Sequence, residues 1–132
     1  MAATYHQLGI TAQDRGRLDE ADDWYRKSLT IKEELRDLPG MALSYGQLGL
    51  LAEARQQPGQ ALHWTVRCVT LFGQFPHPAT GPGPVHLARL TKLLGMPALQ
   101  AAWQQVTGQP VPPAVRDYIT RHHDDDPPGG TP

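Results

Sequence analysis

A duplication with a period of forty residues limits the folds open to this chain more than any other feature of its sequence. When the sequence is shifted by forty places, eleven positions of the first unit meet the same residue, without a gap. The matching pairs include Tyr5 with Tyr45, Leu8 with Leu48, Gly9 with Gly49, Arg15 with Arg55 and Trp24 with Trp64. Tandem units of this length build architectures in which each unit packs mainly on its neighbours. The duplication predicts two such units, over residues 1–40 and 41–80.

Each unit is predicted to be a pair of helices. In the first unit, apolar residues recur at helical spacing up to Gly16, and a second helix with acidic residues in its first turn follows. Pro39 and Gly40 are interpreted as the end of that second helix. In the second unit the pattern predicts helices over residues 42–54 and 60–72, with a break at a proline and a glycine between them.

The C-terminal part combines a turn-rich connector with further helices. Residues 75–84 are rich in proline and glycine and cannot remain helical for long. Three helices are predicted after the connector, over residues 85–94, 98–106 and 112–120. We interpret residues 81–121 as a degenerate third hairpin with a capping helix, because a solenoid needs a terminal unit to cover its last apolar face. Residues 122–132, which are acidic and then rich in proline and glycine, are predicted to be disordered.

Small and aromatic residues at fixed places give both units a pattern that resembles the tetratricopeptide repeat (TPR). The matching residues are Tyr5, Leu8, Gly9, Ala12, Gly16, Ala21, Tyr25 and Ser28 in the first unit, and Tyr45, Leu48, Gly49, Ala52, Ala61 and Cys68 in the second. The second unit departs from the pattern at Gln56, where the family prefers glycine, and at Thr65, where it prefers an aromatic residue. The forty-residue period is similar to the long repeats of kinesin light chains and of many bacterial regulatory proteins.

The resemblance implies an all-α fold, a right-handed α–α superhelical solenoid with a helical C-terminal cap. It also implies that the first helix of each hairpin lines a concave groove for a protein or peptide partner. The groove positions carried over are Ala3, His6, Ile10 and Gln13 in the first unit, and Leu43, Gly46, Leu50 and Glu53 in the second. From the residues alone, Ile10 and Leu50 either face this groove or pack against a neighbouring helix. The face lacks the Lys, Arg and Asn residues by which some TPRs hold a peptide carboxylate, so an apolar or helical segment is the expected ligand.

No catalytic or cofactor-binding motif is recognisable in the sequence. Residues 81–84 lack the lysine and the preceding strand of a phosphate-binding loop. Cys68 occupies a small-residue packing place, which favours a packed thiol over a nucleophile. Residues 122–126 carry metal-binding side chains without a supporting shell, so at most weak, adventitious binding is expected there. Trp24 and Trp64 are expected to pack rather than to form a ligand cage, whereas Trp103 either packs in the cap or stays exposed.

Composition narrows the classes of partner and compartment. The net charge is −1, and the cations of the second half are dispersed rather than clustered, so no nucleic acid is expected. No apolar run is long enough for a membrane span, and the N-terminus does not resemble a signal peptide. A single cysteine fits a reducing compartment, and a cytoplasmic location is the expectation.

Three classes of function stay open. The first is a protein-interaction module, a scaffold or adaptor within a larger bacterial regulatory or signalling protein, as the resemblance implies. The second is a solenoid that self-associates into homo-oligomers through its first helix, which has no cap, so that either upstream repeats or a partner would cover its flank. Light scattering would separate this class from a monomeric binder. The third, an enzyme, would need a catalytic set of residues that the sequence does not show.

Overall fold

The computed structural model describes residues 2–122, and every regular element among them is helical. The α-helices are α1 (Ala2–Asp14), α2 (Leu18–Glu34), α3 (Leu38–Ala54), α4 (Pro58–Val69), α5 (Gly83–Leu94), α6 (Met96–Thr107) and α7 (Pro113–Arg121), and a 3₁₀ turn (Pro78–Thr80) lies in the connector. The predicted all-helical fold is confirmed. Of the tail predicted to be disordered, residues 123–132 lie outside the described residues, as does Met1.

The first three turns between helices share one geometry. Each contains a residue in the left-handed region, Gly16 with φ 75°, Arg36 with φ 54° and Gln56 with φ 59°. The next amide donates a hydrogen bond back to a carbonyl of the preceding helix: Arg17 to Ala12 at 2.8 Å, Asp37 to Lys32 at 2.9 Å and Gln57 to Ala52 at 2.8 Å. This bond satisfies a carbonyl that the end of a helix otherwise leaves unpaired. Gln56, the residue that departs from the family pattern, adopts the conformation that glycine adopts at Gly16.

The sequence-based position of the helix boundary at Pro39 and Gly40 is wrong. Both residues lie in the first turn of α3, where the missing amide hydrogen of proline has no helical acceptor to lose. Asp37 caps this turn, because its carboxylate accepts a hydrogen bond from the amide of Gly40 at 3.0 Å. The second helix of the second unit also ends earlier than predicted, at Val69 instead of Phe72.

Consecutive helices pack against one another from α1 to α6, and α4 also contacts α6. One apolar cluster joins α1 to α4 around Tyr25 and Leu48, and a second joins the end of α3 to α7. Close approach of the paired helices depends on Gly9 and Gly49. A Cβ atom on Gly9 would lie 2.5 Å from the ring of Tyr25, and one on Gly49 would lie 3.1 Å from Thr65 Oγ1. Both glycines therefore lie where two helices of a hairpin come into close contact.

The C-terminal helices close the second apolar cluster. Trp103 on α6, which the sequence left either packed or exposed, is 5% exposed and packs with residues of the α7 region. Val115 and Ile119 lie one turn apart on α7 and face this cluster, whereas most of the residues around them are exposed. The connector and α5–α7 thereby cover the apolar face that α4 leaves open.

Candidate functional site

A cleft between α3 and the connector brings together three of the expected groove positions. We call it the α3 cleft; its lining consists of Ala42, Leu43, Gly46, Gln47, Leu50, His86 and residues 79–83. Leu43 is 48% exposed, and Leu50 is partly buried. Gly46 leaves open space, because a Cβ atom there would meet no atom within 4 Å. The cleft has a volume of about 110 Å³. An apolar cavity of about 150 Å³ holds a benzene molecule, so this cleft suits one aliphatic side chain.

The first-unit positions lie outside this cleft; Ala3 is exposed, and the other three are engaged within the first hairpin. Gln13 Oε1 accepts a hydrogen bond from the hydroxyl of Tyr25 at 2.8 Å. The ring of His6 lies 5.6 Å from the ring of Tyr25, and its Nδ1 is buried without a hydrogen-bond partner among the described residues. Ile10 is partly buried and packs against the first apolar cluster. These side chains therefore contact the body of the hairpin.

Glu53 ties two helices together instead of standing free in the groove. Both of its carboxylate oxygens accept hydrogen bonds from the guanidinium of Arg89 on α5, each at 2.7 Å. A bidentate pair of this kind is among the stronger polar contacts that proteins make. The pair joins α5 to α3 and leaves Glu53 no unpaired charge for a partner.

A buried cation lies between α2 and α3. Lys32 is 6% exposed, and its ammonium donates a hydrogen bond to Ser44 Oγ at 3.0 Å. Burial lowers the pKa of Lys32, while the charge of Asp37 acts in the opposite direction. The sequence gives no signal for this pair, because a lysine on an amphipathic helix is normally exposed.

His6 on α1 and His86 in the α3 cleft are shifted towards their neutral forms. Burial lowers the pKa of His6, and the positive charge of Lys32 lowers it further. Burial also lowers the pKa of His86, with Arg89 acting in the same direction and Glu53 against it. Both imidazoles are therefore predominantly uncharged at neutral pH, and the neutral His86 adds no charge to the lining of the α3 cleft.

Comparison with known families identifies the repeat. A family model described as tetratricopeptide repeat matches residues 1–72, more than half of the chain. The chain belongs to the TPR family. No curated protein and no solved structure matches it in the other two comparisons. TPR units generally mediate protein–protein interaction, so the class of function follows from membership, whereas the identity of a partner does not.

The two equivalent tryptophans of the TPR units are engaged in stacking within the chain. Trp24 stacks on Tyr5 with ring centroids 5.5 Å apart, and Trp64 stacks on Tyr45 at 5.9 Å. Cations lie over both rings: Lys27 at 4.6 Å from Trp24, and Arg26 at 5.2 Å and Arg67 at 5.5 Å from Trp64. The repetition of ring and cation follows the forty-residue period.

The single cysteine of this TPR chain does not provide a reactive thiol. Cys68 is buried, its Sγ lies 3.8 Å from the carbonyl of Thr80, and burial raises the pKa of its thiol to about 11. A thiol with such a pKa is protonated and unreactive at neutral pH.

Within residues 2–122, no three His, Cys, Asp or Glu side chains come together as metal ligands. No helix of that part of the chain combines the length and the apolar character that crossing a bilayer requires.

Ala42, Gln47, His86 and residues 79–83 also line the cleft, although they were not among the groove positions expected from the sequence. A signal for His86 existed, because a further shift of forty residues carries Gly46 onto it. The contribution of residues 79–83 had no such signal. Their position against α3 depends on how the 3₁₀ turn packs there, which no local pattern specifies.

Proposed function

We propose that this chain is a protein-binding adaptor and that the α3 cleft holds an aliphatic side chain from an apolar segment of its partner. The supporting observation is the half-exposed Leu43 beside the open space at Gly46. An exposed leucine next to a concave apolar surface is typical of a binding site rather than of a solvated helix face. Of the expected groove residues, Leu43 and Leu50 then contact the partner. The other four do not contact it and instead stabilise the packing of the helices: His6, Ile10, Gln13 and Glu53.

The chemistry of the cleft favours an uncharged ligand segment. Its walls are leucine, glycine and the proline-rich connector, and His86 is predominantly neutral. A carboxylate placed here would lose hydration without gaining a cation, because Arg89 is already paired with Glu53. We propose a cytoplasmic setting and a role within a larger regulatory or signalling protein, as for the long-repeat members that the sequence resembles.

The experiment selects ligands for the cleft from displayed random peptides, with the full chain as bait. We expect enrichment of peptides with aliphatic residues at helical spacing, and loss of at least about tenfold in affinity, about 1.4 kcal/mol, for Leu43→Glu. Because Leu43 is 48% exposed, this variant should keep its stability within about 1 kcal/mol. Leu35→Glu, at a leucine that is 72% exposed after α2, is the matched control and should bind normally.

The second cleft variant separates binding from folding. Leu50→Glu should also weaken binding while the circular dichroism spectrum is retained. If Leu50→Glu unfolds the protein, Leu50 belongs to the core, and the test then relies on Leu43→Glu alone. Selected peptides that bind Leu43→Glu as tightly as the natural chain would show that the partner site lies elsewhere.

A further inference from the structure

A stripe of four residues on α3 makes the contacts that hold the second hairpin against α2. The stripe consists of Ser44, Leu48 and Leu51 together with Arg55, the C-cap residue of α3, and these residues share one helix face because they lie three or four residues apart. At one end Ser44 accepts a hydrogen bond from Lys32 at 3.0 Å, and at the other Arg55 pairs with Asp19 at 2.6 Å. Between them Leu48 and Leu51 are 1% and 0% exposed.

The counterpart stripe on α1, forty residues earlier, is uncovered. It consists of Thr4, Leu8 and Thr11 together with Arg15, the residue that follows α1, and all four residues are exposed. Leu8 is 38% exposed, whereas its counterpart Leu48 is 1% exposed. Arg15 forms no ion pair within residues 2–122, whereas its counterpart Arg55 does. The α1 stripe therefore presents a hydroxyl, a leucine and an arginine in the order in which α3 uses them to engage α2.

The equivalent tryptophans Trp24 and Trp64 also differ in their contacts with a neighbouring hairpin. Trp64 is contacted by Arg67 from its own helix and by Arg26 from the preceding hairpin. Trp24 has Lys27, the counterpart of Arg67, over its ring, and no cation from another hairpin among the residues that the structure describes. Among the described residues, no cation from another hairpin therefore lies over the Trp24 ring as Arg26 lies over the Trp64 ring.

We propose that the α1 stripe is a docking surface, separate from the α3 cleft, for a helix with the chemistry of α2 supplied by another repeat unit. Such a helix carries a carboxylate in its first turn for Arg15, apolar residues in its middle for Leu8, and an ammonium near its end for Thr4. It runs antiparallel to α1 along about 16 Å, the rise of the eleven residues from Thr4 to Arg15. Thr11 replaces the apolar Leu51 of the α3 stripe, which favours a contact that forms and breaks over a permanent one.

A second copy of this chain does not offer such a helix. Its α2 already packs between α1 and α3, with Asp19 and Lys32 engaged. At the other end of the solenoid, α4 is covered by α5 and α6. Head-to-tail association of copies would have to open one of these contacts. The occupant is therefore a hairpin whose second helix is not yet covered by a following repeat.

The test supplies that hairpin to the full chain. Residues 1–40 are joined ahead of residues 1–132, which reproduces the natural Gly-Met-Ala junction, since Met1-Ala2 repeats Met41-Ala42. We expect Leu8→Glu in the original α1 to lower the Tm of the extended chain by about 5 °C or more, and that of the natural chain by less than about 2 °C. Leu93→Glu on α5, at a leucine that is 67% exposed, is the control and should change both chains equally.

A charge reversal provides the second arm. Arg15→Glu in the original α1 should lower the Tm of the extended chain, and Asp19→Arg in the added copy should restore it. Equal effects of Leu8→Glu in the two chains, or no restoration by the reversed pair, would overturn the proposal. So would a concentration-dependent mass of the natural chain in light scattering that Leu8→Glu abolishes, because the stripe would then pair with a second copy.

Discussion

Alanine substitutions at Gly9 and Gly49 test how closely the two hairpins are packed. The two glycines are equivalent in the sequence, but a Cβ atom would meet different neighbours at each. At Gly9 it would lie 2.5 Å from the Tyr25 ring, which is 0% exposed and whose hydroxyl is bonded to Gln13. At Gly49 the nearest atom is Thr65 Oγ1 at 3.1 Å. We therefore expect Gly9→Ala to be the more destabilising of the two substitutions.

The expected magnitudes follow from two opposing effects. Replacing glycine by alanine within a helix lowers the free energy of the folded state by about 1 kcal/mol through helix propensity. Overpacking a buried site costs about 1–3 kcal/mol, and the fixed ring of Tyr25 favours the upper part of that range. Gly9→Ala should therefore lower the free energy of unfolding by about 1–2 kcal/mol. At Gly49 a shift of the Thr65 side chain by a few tenths of an ångström makes room for the Cβ atom. The gain in helix propensity and the cost of overpacking should therefore cancel to within about 0.5 kcal/mol.

Urea denaturation followed by circular dichroism measures both differences, with an unchanged m-value as the sign that the unfolding reaction is the same. Tyr25→Leu removes the ring, and in that background Gly9→Ala should lose most of its cost, a coupling of about 1–2 kcal/mol. Equal stability of the two alanine variants would refute the difference in packing. A cost of Gly9→Ala that persists without the ring would refute Tyr25 as its cause.

Four further measurements test other parts of the structure. Gln56→Gly should stabilise the protein by about 0.5–1 kcal/mol, because Gln56 has φ 59°, whereas Gln57→Gly, at φ −121°, should not. The pKa of His86 is lowered from its usual 6.5 in the folded state, so the unfolded state takes up its proton first, and stability should decline as the pH falls below about 6.5; His86→Asn should make this decline shallower in a series of denaturation curves. Glu53→Gln should cost about 1 kcal/mol, with a smaller difference at high salt, since it breaks the bidentate pair with α5. The thiol of Cys68, with a pKa of about 11, should react with a thiol reagent no faster than the protein unfolds, and fast labelling of the native state would contradict its burial.

The groove prediction shows where reasoning from sequence was sufficient and where it was not. Periodicity placed each helix approximately, although the predicted boundary at Pro39 and Gly40 and the predicted end of α4 were wrong. The repeat pattern predicted that α3 lines a groove; Leu43 and Leu50 line a cleft there, and binding of a partner in it stays a prediction. The same pattern could not tell that Gln13 accepts a hydrogen bond from Tyr25 or that Glu53 pairs with Arg89. Both contacts join residues twelve or thirty-six positions apart, and such partners are chosen by the packing of whole helices.

The sequence by itself determined the all-helical repeat, because the two facts that specify it are local. A helical apolar period marks each helix, and a small residue at Gly9 and Gly49 marks each close crossing. Pro39 and Gly40 show the limit of local signals, since the same two residues suit the end of one helix or the start of the next until the cap from Asp37 decides. Tertiary structure alone decided that the leucine of the repeat is buried as Leu48 and exposed as Leu8. The residue is the same at both places, and its exposure depends on whether another helix packs against it.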